Sequence, residues 1–267
     1  MNILITGGSS GIGKYLAKNL AIENNVIICG KSLKKNKYNK ESQVLEIKCD
    51  VSNERSVKNL VRSVKKTFKK IDVLINCAGI YGEIGDFNKI NFDKWKKAIE
   101  VNLFGTFLVS KYFFEELKKS KIRKIINFSG GGAFNSFPHY SSYACSKAAV
   151  VRLTETIAEE KKLDRIYINC IAPGFVATKI HKQTFKSGIK KVGKKFYEET
   201  RKNFKDGGTP LIKILNCVNF LISNKSKNLS GKTISVNFDP WDKKYFKKNI
   251  SKINKSSMLT MVRNNLS

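Results

Sequence analysis

The feature that most narrows what this chain can fold into is a glycine-rich turn a few residues from Met1. Asn2 to Thr6 is a short apolar run built on Ile3-Leu4-Ile5. Gly7-Gly8-Ser9-Ser10-Gly11-Ile12-Gly13 follows at once, and a helical pattern starts at about Gly11. A strand that turns through glycines into a helix presents the positive end of that helix, and glycines let another group come close to the backbone there. The spacing T-G-x-x-x-G-x-G differs from the more common G-x-G-x-x-G, and a glycine-rich turn can also be a mere tight connection. The strand before and the helix after favour a cradle for a pyrophosphate.

The rest of the chain continues the same rhythm. Val26 to Cys29, Val44 to Cys49, Val73 to Ile75, Ile122 to Phe128, Ile166 to Ile171 and Thr233 to Asn237 read as further strands. Between them lie helical stretches from about Asn53, one or two over Phe92 to Lys119, and others over Tyr143 to Lys162 and Leu211 to Ile222. Short apolar runs alternating with longer amphipathic ones predict an α/β fold, a Rossmann-like doubly wound parallel sheet of about seven strands with helices on both faces. In such sheets ligands bind outside the C-terminal strand ends, at the point where strand order reverses. Residues 1–241 are expected to form one domain. Residues 179–208 break the rhythm and read as an insertion over the crevice; 242–267 read as a C-terminal tail, mobile or packed on a second subunit.

Composition excludes more than it identifies. The 267 residues, 41% hydrophobic with four prolines, belong to an ordinary folded globule. No stretch reaches the roughly 18 to 20 apolar residues of a membrane-crossing helix, so no membrane partner is expected. The N-terminus leaves no room for an export leader. The six cysteines are scattered, without a C-x-x-C pair or a histidine cluster, which predicts no metal and a reducing, cytoplasmic setting. The formal charge of +30 comes from 51 Lys and Arg against 21 Asp and Glu, mostly lysine spread along the chain. Without any nucleic-acid-binding motif it does not predict a nucleic-acid partner.

Tyr143-Ala144-Cys145-Ser146-Lys147 puts a phenol and an ammonium one helical turn apart on one face. A phenol titrates near ~10 and becomes a useful acid/base when a cation steadies its phenolate. Lys147 supplies that cation, so Tyr143 can give a proton to a carbonyl oxygen or take one from an alcohol. Alone, Y-x-x-x-K is a common structural pattern.

In sequence order stand the glycine turn, Asp50-Val51, Asn76-Cys77-Ala78-Gly79, Asn102 within Val101-Asn102-Leu103-Phe104-Gly105, Tyr143 with Lys147, Ile171-Ala172-Pro173-Gly174 and Thr178. From Asn2 to about Asn237 this series resembles the classical short-chain dehydrogenases/reductases, with Cys77 where the family has a second asparagine. The resemblance implies an NAD(P)-dependent oxidoreductase working as a homodimer or homotetramer. It implies that Gly7, Ser9, Ser10, Gly11 and Ile12 cradle the cofactor phosphates and that Asp50 and Val51 hold the adenine. Asn76, Ala78 and Gly79 would line the ribose side. Lys147 would bond the nicotinamide ribose, Pro173, Gly174, Val176 and Thr178 would meet the nicotinamide end, and Asn102 would anchor a relay water. At the end of the second strand no acid stands to bind the ribose of NAD; Lys31 offers a cation to the phosphate of NADP, which is therefore favoured over NAD.

Two places depart from the family pattern. Thirteen residues before the tyrosine, where the family has a serine, stands Gly130. Either Ser129 takes the serine's place by a register shift, or glycine amides serve, or the space admits a bulky substrate. After the last strand comes Val236-Asn237-Phe238-Asp239-Pro240-Trp241, in which Trp241 caps the substrate pocket, meets another subunit or packs in the core. Together with Ser-Gly-Gly-Gly-Ala, this ending resembles a subgroup associated with bacterial surface-sugar synthesis. Lys179 to Lys205 holds ten Lys or Arg against Glu198 and Glu199, which suits an anionic small molecule such as a sugar phosphate or nucleotide-sugar, or an acyl group on an acidic carrier. A catalytically silent dinucleotide-binding protein is the third reading.

Overall fold

A strand covered by helices on both faces needs apolar side chains at successive positions, and the computed structural model shows how they divide. It describes residues 1–33, 37–39 and 43–262. Their strands are β1 (Asn2–Thr6), β2 (Asn25–Gly30), β3 (Lys37–Asn39), β4 (Val44–Lys48), β5 (Val73–Asn76), β6 (Lys124–Phe128), β7 (Tyr167–Ala172) and β8 (Thr233–Ser235). In β1, Ile3 and Ile5 enter one apolar layer and Leu4 the other. β2 and β5 repeat the division, with Val26, Ile28, Val73 and Ile75 on the first side and Ile27, Cys29 and Leu74 on the second. This is the pattern of a sheet buried on both faces.

The strands run in the order β3-β4-β2-β1-β5-β6-β7-β8. The seven expected strands are all parallel. An eighth, β3, pairs antiparallel with β4 at the edge and had no counterpart in the sequence reading. The chain crosses from one side of β1 to the other between β4 and β5, so the reversal of strand order falls between β1 and β5.

Helices α1 (Gly11–Leu20) and α10 (Leu211–Ile222) cover the first face, and α2 (Glu54–Thr67), α4 (Gly105–Tyr112), α5 (Phe114–Lys118) and α6 (Ser141–Glu160) the second. The long helical reading over Phe92 to Lys119 is broken into α3 (Phe92–Ile99), a π-helical turn at Glu100–Phe104, α4 and α5. Such wide turns recur at functional sites, and this one contains Asn102.

The insertion folds as α7 (Lys182–Ser187), α8 (Ile189–Val192) and α9 (Lys194–Lys205). Its two ends are pinned together by a bridge between Val176 and Gly208 and by the amide of Thr209 donating to Phe175 O at 2.6 Å.

The C-terminal segment is described apart from residues 263–267, which lie outside the described residues. It folds back onto its own domain through α11 (Lys244–Lys248) and α12 (Ile250–Asn254), which bury Phe246, Ile250 and Ile253 in the first apolar layer. The amide of Thr233 donates to Leu259 O at 2.8 Å, so the segment covers the outer edge of β8. Trp241 also belongs to the core: it is buried beside Phe220 and donates its indole N–H to Val236 O at 3.2 Å.

Candidate active site

The glycine turn works by close approach. Gly7 has φ +69°, and a Cβ there would stand 2.8 Å from Ala78 Cα; one on Gly13 would stand 2.6 Å from Gly7 O. Only glycine lets the turn lie this near to the loop after β5. That loop is tied to β1 by Thr6 Oγ1, which accepts from the amides of Cys77 and Ala78, both at 3.1 Å. Ser10 caps α1 without a side-chain bond to its amides. The first N–H groups of α1 are therefore left for an anion, at the positive end of the helix dipole. A dinucleotide pyrophosphate fits this donor set.

One cavity of about 1050 Å³ opens from the turn across the C-terminal strand ends. Gly7, Ser10, Gly11 and Ile12 line its first side, with Ala78 and Gly79 beside them. Pro173, Gly174, Val176 and Thr178 line the facing wall, and Tyr143 and Lys147 stand between. At this volume, the top of the range for small-molecule sites, it has room for a nucleotide end and a substrate together.

Other expected cofactor residues fall outside the cavity. Ser9 is half-buried against Gly30. Asn76 has its amide directed inside the protein, donating to Ser110 Oγ at 3.0 Å and Asn127 Oδ1 at 2.9 Å, so its side chain does not line a ribose site. Val51 is buried, its side chain packed on Gly105, which leaves its backbone for any contact with an adenine. Lys31 and Asp50, expected to recognise different parts of the adenosine, meet in an ion pair at 3.0 Å. Asp50 also accepts from Ser52 N and Oγ, and these bonds with Lys31 hold its carboxyl below the usual range against the cost of burial.

At the other end, the phenol of Tyr143 faces the cavity with no hydrogen-bond partner among the described residues. Burial raises its pKa well above the ordinary value. Lys147 donates to Phe128 O at 2.8 Å, and its Nζ is 5.7 Å from the Tyr143 ring centroid. Burial lowers the ammonium's pKa, partly offset by the nearby thiols of Cys170 and Cys77. Desolvation, with the Cys77 thiol beside it, accounts for the raised value of the phenol, and no lowering by Lys147 accompanies it. Asn102 is fully buried. Its amide donates to Ile80 O at 2.9 Å and Ser146 Oγ at 2.8 Å, and its Oδ1 accepts from Ile80 N at 2.9 Å. It clamps the loop after Gly79 to the helix of Tyr143 and does not reach Lys147 directly.

Ser129 lies in the cavity lining; its amide continues the β6–β7 pairing, and its hydroxyl is buried without a hydrogen-bond partner among the described residues. The reason for glycine at 130 is steric: a Cβ there would fall 2.1 Å from the Tyr143 hydroxyl. The phenol occupies the space that a side chain at this position would need.

The aromatic lining beside Tyr143 was not legible in advance. Tyr81, Phe137, Phe175, His181 and Phe196 line the cavity beside Tyr143. Tyr81 meets Tyr143 edge to face with centroids 4.8 Å apart, and Phe137 and Phe196 meet at 4.8 Å. These side chains come from the loops after β5 and β6, the loop after β7 and the insertion, and have no common spacing. A weak signal existed in His181, one of only two histidines in the chain. Of the ten basic residues counted in the insertion, Lys179, Lys182 and Lys186 reach the cavity rim. Leu259 and Thr260 of the C-terminal segment line its far end.

Comparison with known proteins agrees with this arrangement. The family model described as short chain dehydrogenase matches residues 1–188. An NAD-dependent glycerol dehydrogenase of Listeria innocua is 25% identical, over 87% of this chain and 91% of its own. The solved structure of an aldohexose dehydrogenase from Thermoplasma acidophilum is similar with a TM-score of 0.75 at 26% identity, covering 88% of this chain and 91% of that one. That of levodione reductase gives a TM-score of 0.74 at 26% identity, covering 88% and 95%.

Proposed function

The chain belongs to the short-chain dehydrogenase family, an oxidoreductase of CH–OH groups using NAD(P), and from that premise we propose that it interconverts a ketone and a secondary alcohol with Tyr143 as general acid/base. The observation that carries this reading is the unpartnered Tyr143 hydroxyl, open to a cavity that begins at the glycine cradle. When bound, the nicotinamide supplies or takes the hydride. Gly7, Ser10, Gly11 and Ile12 hold the phosphates at the start of α1, and Pro173, Gly174, Val176 and Thr178 close over the other end.

Tyr143 gives its proton to the substrate oxygen during reduction and takes it back during oxidation. Burial raises its pKa, so the phenol holds its proton at neutral pH and is the weaker acid for it, and release of that proton depends on a cation that steadies the phenolate. Lys147 steadies the phenolate that forms, and Asn102 positions the loop and helix around both. At the position of the family serine Gly130 leaves only backbone, and polarisation of the substrate there falls to Tyr143.

For the substrate, the lysines at 179, 182 and 186 support an anionic sugar or nucleotide-sugar derivative, of the kind used in surface-polysaccharide synthesis. The glycerol and aldohexose dehydrogenases among the similar proteins also act on polyols and sugars by name. NADP is favoured over NAD because Lys31 is largely exposed beyond its bond to Asp50 and no acid ends β2. A homodimer or homotetramer is supported by exposed Phe104 and Phe107, which border an apolar hollow with Leu103, Leu108 and Leu153. The six free cysteines suit a reducing cytoplasm.

The test follows cofactor absorbance with NADPH and NADH against dihydroxyacetone, dihydroxyacetone phosphate and a UDP-linked ketosugar, and the reverse with glycerol and glucose. Turnover that is faster with the phosphorylated or nucleotide-linked compounds and with NADPH is expected. Tight NADPH binding without turnover on any of them, in wild type and Tyr143→Phe alike, would support the silent reading instead.

A further inference from the structure

Among the aromatic side chains of the cavity wall beside Tyr143, the insertion contributes a histidine. Tyr81 Oη and His181 Nδ1 are 2.7 Å apart. The imidazole stacks on Phe175 with centroids 4.0 Å apart and planes at 29°, while Tyr81 packs its ring against Tyr143. His181 is thus held by two segments at once, the loop after β5 and the loop after β7, and stands one ring away from the reacting phenol.

Its proton can be located from hydrogen-bond accounting. Burial lowers the imidazole pKa to about 4, so the ring is neutral at physiological pH and carries one N–H. Burial also raises the Tyr81 phenol, which keeps its proton. Tyr81 is 3% exposed and its hydroxyl has no other partner among the described residues. If Nδ1 carried the hydrogen and donated it to Tyr81, the phenol O–H would be left buried without an acceptor, at a cost that structures avoid. The phenol therefore donates to Nδ1, and the ring hydrogen sits on Nε2. That nitrogen has no partner among the described residues and is not among the sealed polar atoms of a residue that lines the cavity. The rings packed against the imidazole besides Tyr81 are Phe175 and Phe204, which offer it no hydrogen-bond partner.

We infer that His181 is a specificity-determining residue: its Nε2–H, set in place by Tyr81, donates to an oxygen substituent of the substrate other than the reacting carbonyl. A wall of this kind selects ring or chain compounds carrying a hydroxyl or carbonyl oxygen near the reacting carbon. It discriminates against analogues that lack that oxygen, because the N–H, enclosed once the substrate fills the cavity, would then be left unpaired. The inference rests on the reading that substrate occupies the Tyr143 side of the cavity.

Two measurements test it. With ¹⁵N-histidine labelling only two rings report, and His139→Gln assigns them. His181 is expected as the Nε2–H tautomer, unchanged from pH 8 to about 5.5; an Nδ1–H tautomer, or titration near the ordinary 6.5, overturns the proton placement whatever the enzyme's activity. In steady-state assays with the best of the compounds named above, His181→Phe keeps the stacking and removes the donor. It is expected to raise KM about tenfold with kcat within about threefold and NADPH affinity unchanged. His181→Gln, which keeps a side-chain N–H, should recover part of the KM, and Tyr81→Phe should give a smaller rise. An unchanged KM in His181→Phe, or an equal loss of NADPH binding, overturns the role. If no compound is turned over by wild type, the proposed function fails, and the tautomer measurement still decides whether the wall presents its donor.

Discussion

Lys124 begins β6, and Lys147 reaches the carbonyl at its other end; both are 6% exposed and both have their pKa lowered by burial. Lys124 is enclosed by its partners. It donates to Lys227 O at 2.7 Å and Ser226 Oγ at 3.2 Å, and stands 4.5 Å over the Tyr167 ring. Lys147 has one bond, to Phe128 O, and otherwise faces a phenol, two thiols and the cavity. A buried lysine with a lowered pKa is therefore no sign of chemistry by itself. What separates the two is the state of their neighbours: closed at the N-terminal end of the strand, open at the C-terminal end where helix amides and a phenol are unpartnered.

The sharpest break in this contrast is at Tyr143. Tyr143→Phe is expected to lower kcat by about 10³-fold or more with NADPH affinity within about twofold, measured by single-turnover assays and fluorescence titration. Activity within tenfold of wild type would remove the phenol from the acid/base role. Next comes the lysine pair itself. Lys147→Met should reduce kcat by about 10²-fold, whereas Lys124→Met should leave kcat within about twofold and alter stability by about 1–3 kcal/mol in denaturant unfolding. If both variants lose activity alike at equal stability, the two ends do not differ as described.

Gly130→Ser gives a smaller expected effect. Because its Cβ would meet the Tyr143 hydroxyl, the substitution should reduce kcat by roughly tenfold by displacing the phenol, not improve it. A gain in kcat would mean that the loop has room for the family serine.

The smallest effect is in pH. Lys124 titrates at about 8 in the folded protein and at 10.5 ordinarily, so between these values the unfolded chain binds more protons. Stability conferred at this site must then rise with pH across that window. The difference in unfolding free energy between wild type and Lys124→Met should grow in favour of wild type from pH 8 to 10.5. A flat difference would place Lys124 in a more solvated setting.

The legibility of the sequence divides along the same line. The glycine turn, the alternation of strands and helices and the Tyr143–Lys147 spacing are local patterns, and the seven parallel strands follow from them. The edge strand β3 is three residues long and carries no apolar alternation to announce it. Asn76 and Asn102 were assigned by resemblance to the cofactor and a relay; their amides are bonded within the protein. Their partners Ser110, Asn127, Ile80 and Ser146 lie on other elements, at separations no motif spans.

By itself the sequence determined the fold class, the glycine turn between β1 and α1 and the pairing of phenol with ammonium, because each depends on residues within one turn, strand or helix. Only the tertiary structure decided that Gly130 makes room for Tyr143, that the Ser129 hydroxyl is buried, that Lys31 meets Asp50, that the C-terminal segment closes on its own domain and that His181 joins the wall. Each of these is a contact between segments brought together by the sheet and its loops, and hydrophobic periodicity, which sets which face is buried, does not specify which side chains then meet.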